Sequence, residues 1–253
     1  MDGVENLVKG AEEAKSVKHI VFTSSTLVCR NGYVPKHDTD YCPPNLYGES
    51  KMIGEKIVRG LKNPSFTWTI VRPSIVWGPW FWFSVKRTFF MLIDKGLYWH
   101  PTAKPLTKQK TYVGNTVFML ANCLFSPVKK VNGKTFYLID YPSHTIQEWA
   151  NEIQVTLNKK EIKVAPMWLL RLGGYMGDFL KLLGFSEQQV PLTSFRLNNM
   201  LTEVNCPNDG IQELCQKLPY SSDDGVRATA QWLYERGDIS NMPVDKNNSI
   251  LDN

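Results

Sequence analysis

The sequence is short of the patterns that build metal centres and disulfide frameworks. Its five cysteines, at 29, 42, 123, 206 and 215, form no C-x-x-C pair, and its four histidines are equally dispersed. Zinc-type spacing is therefore missing, and the thiols read as reduced, structural ones in a cytoplasmic protein without a metal. Charge of one sign is not concentrated either. The net charge is +5, but the densest basic cluster, 104–110, holds three lysines and no arginine. That is a solvated loop rather than a nucleic-acid surface. No uncharged apolar run reaches eighteen residues, which excludes a helix long enough to span a bilayer. The opening MDGVENLVKGAEEAKS is charged and amphipathic, unlike a secretory signal. The most apolar helical stretch, 167–185, carries Arg171, Asp178 and Lys181. It is expected to pack within the protein rather than lie on a membrane.

What is present is ordinary globular composition: 253 residues, 43% hydrophobic and 21% charged, enough for one large or two small domains with a sizeable core. Helical spacing of Val4, Leu7, Val8, Ala11 and Ala14 predicts a helix over 3–16. Apolar, β-branched runs at 19–23, 67–72 and 135–140 read as buried parallel strands. Helices are expected at 46–62, 84–96 and 112–125. Strands alternating with helices argue for an α/β fold with a doubly wound parallel sheet. Beyond Pro142 the pattern becomes mostly helical. Thr145 and Glu148 form a capping box ahead of a helix to about 157, and further helices are expected at 167–183, 207–217 and 222–236. A short strand is read at 161–164, and residues 237–253 read as a disordered polar tail.

Chemistry concentrates at Tyr47-Gly48-Glu49-Ser50-Lys51, which opens a helix after a strand ending in Thr23-Ser24-Ser25. Strand C-termini in an open α/β sheet are where ligands bind. Removing hydride from a carbinol carbon needs a base for the hydroxyl proton. A free phenol titrates at about 10, and a neighbouring ammonium favours the phenolate. Lys51, four residues after Tyr47, lies on the same helical face. A serine hydroxyl can hold the reacting oxygen, and either Ser25 or Ser24 is in place for it.

In order, the helix GVENLVKGAEEAKSVKH, the strand IVFTSS, Y-x-x-x-K and the run Arg72-Pro73-Ser74-Ile75-Val76-Trp77-Gly78-Pro79 resemble the second half of an extended short-chain dehydrogenase/reductase. The family is the NAD-dependent epimerase/dehydratase family. TYVGNTV (111–117) extends the similarity and resembles its 3β-hydroxysteroid dehydrogenase-like branch, and NNMLTE (198–203) followed by LPYSSDDGVRATAQWL (218–233) resembles the family's C-terminal end. The resemblance implies part of a Rossmann-type domain over 1–79 and 108–141, and a substrate-binding part over 80–107 and 142–236. It implies Tyr47 as acid/base, Lys51 as its partner and ribose ligand, and Ser25 as the contact to the reacting oxygen. Pro73, Ser74, Ile75 and Val76 would hold the nicotinamide end of NAD or NADP.

The expected substrate is a small molecule, a nucleotide sugar or a steroid-like alcohol, and a homodimer is compatible with the family. Thr26 and Leu27 stand where dehydratases often carry Asp-Glu, which argues against sugar 4,6-dehydration. Trp77 and Trp80-Phe81-Trp82-Phe83 are read mainly as packing, with a substrate wall as the alternative. Lys86 and Arg87 read as a solvated helix face rather than a diphosphate site. The family's G-x-x-G-x-x-G loop does not occur in this sequence. The expectation is a chain lacking the nucleotide-binding half, with one strand left as an unpaired edge. A catalytically inactive fragment or binding module is the alternative reading.

Overall fold

The computed structural model describes residues 2–81, 85–186, 190 and 192–244, without the side chains of 2 and 85–88. Trp82, Phe83 and the side chains of Lys86 and Arg87 lie outside the described set, as does the chain from 245. The chain divides into two compact units.

The first unit comprises Met1–Gly78, Gln109–Ser143 and Val204–Ser221. It contains α1 (Asp2–Ala14), β1 (His19–Thr23), a 3₁₀ turn (Thr26–Val28), α2 (Leu46–Arg59), β2 (Thr67–Pro73) and β3 (Ile75–Trp77). The second unit interrupts here with α3 (Val85–Asp94). The first unit resumes with β4 (Lys110–Tyr112), α4 (Val113–Phe125), α5 (Val128–Val131) and β5 (Thr135–Leu138). Strands β1, β2 and β5 form a parallel sheet in the order β1-β2-β5, with His19 opposite Thr67 and Ile70 opposite Thr135. This is the Rossmann-type α/β arrangement expected from strands alternating with helices.

Strand β2 is buried on both sides from Thr69 to Arg72, with Ile70 and Val71 as its apolar centre. Val71 joins Met119 and Cys123 of α4 in one core, while its neighbour Arg72 meets Glu55 of α2. Successive strand residues point to opposite faces, so α4 and α2 cover opposite faces of the sheet. The same core takes in Ile211 and Cys215. They belong to α9 (Asp209–Cys215), reached after α6 (Ile146–Thr156), α7 (Met167–Leu182) and α8 (Ser194–Leu201). Asn115 ties this returning segment down: its amide donates to the Tyr220 carbonyl (3.0 Å) and its oxygen accepts from the Tyr220 N–H (3.1 Å).

The second unit holds α3, α6, α7, α8 and α10 (Ser222–Glu235). Helix α6 starts at the capping box: Thr145 accepts from the Glu148 N–H (3.1 Å), and the Glu148 carboxylate accepts from the Thr145 N–H (2.7 Å). Trp149 is fully buried, stacked on Phe89 at 5.1 Å and edge-on to Phe90 at 5.9 Å. Aromatic packing of this kind supplies large buried area per residue.

Several details differ from the sequence reading. Residues 75–77 and 110–112 are short parallel strands paired with each other, where a loop and a helix start were expected. Three residues are too few to show periodicity. The strand read at 161–164 is reduced to one bridge, Val164 with His100. Helix α8 was not foreseen; its cap is Thr193, which accepts from the Arg196 N–H. The tail packs as far as Val244: Ile239 is buried, and Ser240 donates from its N–H (3.0 Å) and hydroxyl (2.9 Å) to Asp94. Helix α7 departs most. It was expected to pack its apolar side inward, yet its largest side chains face outward, because glycines make its contact face. A Cβ on Gly177 would stand 1.8 Å from the Leu192 carbonyl oxygen, so this backbone sits too close for large residues there.

Candidate active site

Three features bring the ends of β1 and α2 together. Asn45 caps α2 by accepting from the Gly48 N–H (2.9 Å). Ser25 caps the 3₁₀ turn by accepting from the Leu27 N–H (3.1 Å). Gly48 lets the two meet: a Cβ there would lie 2.2 Å from the Leu27 carbonyl oxygen. Any other residue at 48 would push Tyr47 away from the strand end.

Tyr47 is 51% exposed, and its hydroxyl has no hydrogen-bond partner among the described residues. Lys51 donates to the Thr23 carbonyl (3.1 Å), and its ammonium is 5.8 Å from the Tyr47 ring centre. Ser24 and Ser25 separate clearly. Ser24 is buried and donates to Glu55 Oε1 at 2.5 Å, so its proton is engaged in the interior. Ser25 uses its oxygen as a cap and has no acceptor for its own proton among the described residues. A cleft of about 230 Å³ lies against this strand end, lined by Val4, Phe22, Thr23, Ser24, Lys51 and Glu55 among others.

Beneath the pair lies a charged network that the sequence reading missed. Glu55 is 2% exposed. It accepts from Arg72 Nε (2.8 Å) and Nη2 (2.6 Å), from Ser24, and from the Tyr41 hydroxyl (3.0 Å). Arg72 completes its donors on the Tyr137 hydroxyl and the Asp38 carbonyl, both at 2.5 Å. Burial alone would raise the Glu55 carboxyl, but the Arg72 guanidinium, with Ser24 and Tyr41, outweighs it and holds the group below the usual carboxylate range. The available signal was spacing: Tyr47, Lys51 and Glu55 recur every four residues on one helical stripe.

Pro73 closes β2, and the Ser74 N–H donates to the Leu138 carbonyl (3.2 Å). The Ser74 hydroxyl is buried with no hydrogen-bond partner among the described residues. Ile75 and Val76 lie in strand β3 opposite Lys110 and Thr111, yet remain 48% and 37% exposed. Trp77 is buried against Tyr112 at 5.3 Å and is packing. Trp80 is exposed, 6.2 Å from Trp232. Among the described residues there is no cluster of His, Cys, Asp and Glu fit to hold a metal, and all five cysteines are free.

The fold matches solved structures at low identity. A UDP-glucuronic acid 4-epimerase from Bacillus cereus, in complex with NAD, aligns with TM-score 0.64 and 16% identity, over 92% of this chain and 66% of that one. A UDP-glucose 4-epimerase from Thermotoga maritima gives 0.62 and 15%, over 92% and 69%. The terminal R domain of the myxalamid PKS-NRPS pathway gives 0.65 and 18%, over 94% and 64%. The chain thus spans about two thirds of each. No curated protein matches by sequence. The family model for 3-beta hydroxysteroid dehydrogenase/isomerase matches residues 1–167, which takes in every described strand together with the Tyr-Lys helix. The chain belongs to the 3-beta hydroxysteroid dehydrogenase/isomerase family.

Proposed function

We propose that Ser25, Tyr47 and Lys51 form an oxidoreductase site for a secondary alcohol or its ketone, working with a nicotinamide dinucleotide. The observation that carries this reading is the unpartnered Tyr47 hydroxyl, with an ammonium beside its ring, at the C-terminal end of a parallel strand. The residues fit such a cofactor. Lys51 makes one protein hydrogen bond among the described residues, leaving two of its three donors for a ribose diol. The buried Ser74 hydroxyl lacks a partner among the described residues, and the open edge of β3 can meet a ligand. Pro73, Ser74, Ile75 and Val76 would line the nicotinamide end, with Tyr47 and Lys51 at its ribose. NAD rather than NADP is the first choice, because the B. cereus epimerase holds NAD.

When bound, the nicotinamide accepts or returns hydride. The remaining work falls to the chain. Ser25 donates to the reacting oxygen and fixes it near the phenol. Tyr47 takes the hydroxyl proton as the carbinol is oxidised and returns it in the reverse direction. The Lys51 charge attracts the phenolate oxygen that receives this proton and that re-forms in the reverse direction. The substrate we favour is a steroid-like alcohol, supported by the family match and by the exposed apolar Ile75 and Val76. A nucleotide sugar is the second reading, supported by the UDP-sugar epimerases among the fold relatives.

The test is reduction of NAD or NADP by the 253-residue chain with 3β-hydroxysteroids and UDP-sugars offered in parallel. Turnover abolished by Tyr47→Phe supports the site. Turnover unchanged in that variant contradicts it.

A further inference from the structure

Two of the five cysteines face each other at the neck of the loop that joins β1 to α2. Cys29 ends the 3₁₀ turn, where its N–H donates to the Thr26 carbonyl (3.1 Å). Cys42 stands three residues before Asn45, the cap of α2. The two pair directly as a parallel bridge. The Cys42 N–H donates to the Val28 carbonyl (3.0 Å), and the Cys42 carbonyl accepts from the Arg30 N–H (2.8 Å). Bridge partners of this kind stand about 4.8 Å apart, the spacing of neighbouring strands, and point their side chains to one face. That separation lies within the range of about 4.4–6.8 Å between Cα atoms that a disulfide spans. The two sulfurs differ in setting. Cys29 is 8% exposed and donates its thiol to the Asp40 carbonyl at 3.2 Å, whereas Cys42 is only half-buried. Burial pushes the Cys29 thiol up, opposed by the Cys42 N–H and by the Arg72 charge. Cys206 borders the same small cavity as Cys29, but its N–H and carbonyl are both held by the Gln109 amide.

We propose that Cys42 and Cys29 are a modification site for hydroperoxides, Cys42 as the thiol oxidised first and Cys29 as the one that resolves it into a disulfide. Cys42, the more accessible sulfur, attacks the peroxide as its thiolate. The O–O bond breaks, one oxygen stays on Cys42 as a sulfenic acid, and the other leaves as water. The Cys29 thiolate then attacks the Cys42 sulfur. The S–OH bond breaks, and the departing hydroxide takes up the Cys29 proton as a second water. Two thiols are oxidised and one peroxide is reduced. The new bond takes away the hydrogen that Cys29 gives to the Asp40 carbonyl. It also fastens the turn capped by Ser25 to the segment that leads into the Asn45 cap. The loop over 30–41 is then tied at both ends. This loop supplies the Tyr41 hydroxyl to Glu55 and the Asp38 carbonyl to Arg72, so the bond restrains the charged network from outside. Closing a loop in this way stabilises chiefly by limiting the unfolded chain. Such a disulfide is transient where the surroundings are reducing, as expected of a sensor rather than a structural bridge.

The experiment treats the reduced 253-residue chain with hydrogen peroxide, unfolds it in iodoacetamide to block the remaining thiols, and digests it with trypsin. Arg30 and Lys36 lie between the two cysteines, so cleavage there leaves them on separate peptides that stay together only through a disulfide. Mass spectrometry should find that joined pair, short of two hydrogens and separated by dithiothreitol. Cys29→Ser should trap the sulfenic acid on Cys42, read by addition of dimedone. Amide hydrogen exchange over 30–41 should slow several-fold in the oxidised wild type, and not in Cys42→Ser treated alike. The wild-type mapping needs no variant, and circular dichroism checks the fold of the two serine variants. Three results overturn the proposal: both cysteines alkylated after peroxide, Cys29 joined to Cys206 instead, or Cys42 carried on to sulfinic acid without a crosslink. Exchange that stays equal on oxidation contradicts the restraint on the loop. None of these readouts depends on turnover, so a negative result leaves the proposed alcohol chemistry standing.

Discussion

Helices α2 and α7 are of similar length, 14 and 16 residues, and they invert the usual division of faces in opposite ways. Helix α2 buries a carboxylate and exposes a tyrosine. Helix α7 buries glycines and exposes Trp168, Tyr175 and Phe179. In α2 the buried charge is matched by Arg72 and two hydroxyl donors, and the same stripe opens at its N-terminal end onto the Tyr47-Lys51 pair. In α7 nothing polar is buried without reason, and the cost lies on the outside, where apolar area meets water. Sequences break local rules chiefly where function demands it. In α2 that place is the proposed site at a strand end; in α7 it is an exposed apolar face.

Substitutions can break or sharpen this contrast. Tyr47→Phe keeps the ring and removes the proton carrier; turnover should fall by about 10²–10⁴ with little change in stability, measured by steady-state kinetics and thermal melting together. Glu55→Ala leaves Arg72 buried and unpaired and should cost about 3–5 kcal/mol in denaturant unfolding. A loss under about 1 kcal/mol would mean that solvent reaches the pair and that the network does not anchor the site. Gly48→Ala forces α2 off the Leu27 carbonyl and should cost about 1–3 kcal/mol. Activity should suffer more than stability, because Tyr47 is the adjacent residue.

The pH dependence follows from Glu55. Its folded carboxyl titrates below the unfolded value of about 4.3. The pair's stabilisation is therefore fully present above that unfolded value and is lost as pH falls through the folded one. Glu55→Gln should flatten this acid limb of an unfolding-versus-pH curve. The smallest effect belongs to α7: Leu172→Glu/Phe179→Glu should change unfolding free energy by less than about 0.5 kcal/mol per site. A large loss there would show that the exposed stripe contributes to the fold.

Much of this could be read from the sequence where a physical pattern was long enough. Strand β1 and helices α2 and α6 emerged within a few residues, because apolar runs, helical spacing and the Thr145/Glu148 box are local signals. The pair proposed for the site stands out for the same reason, through its place after a strand. What was not legible depends on distant partners. Glu55 reads as one more surface acid on a helix until Arg72, seventeen residues on, meets it across the sheet face. The choice between Ser24 and Ser25 turned on that same carboxylate, which engages Ser24. Strands β3 and β4 are visible only as a pair. The outward face of α7 was misread because apolar periodicity reports a stripe and not which way it points; the glycines on the other side held that information.

The most direct test of the central claim uses the half of the cofactor that these residues would hold. Titration of the 253-residue chain with reduced nicotinamide mononucleotide, followed by calorimetry, should show saturable binding. Lys51→Met should weaken it about tenfold or more, as loss of a charged hydrogen-bond donor, while Leu172→Glu/Phe179→Glu should leave it unchanged. Absence of binding, or equal binding by Lys51→Met, would contradict the assignment of Tyr47 and Lys51 to a nicotinamide site.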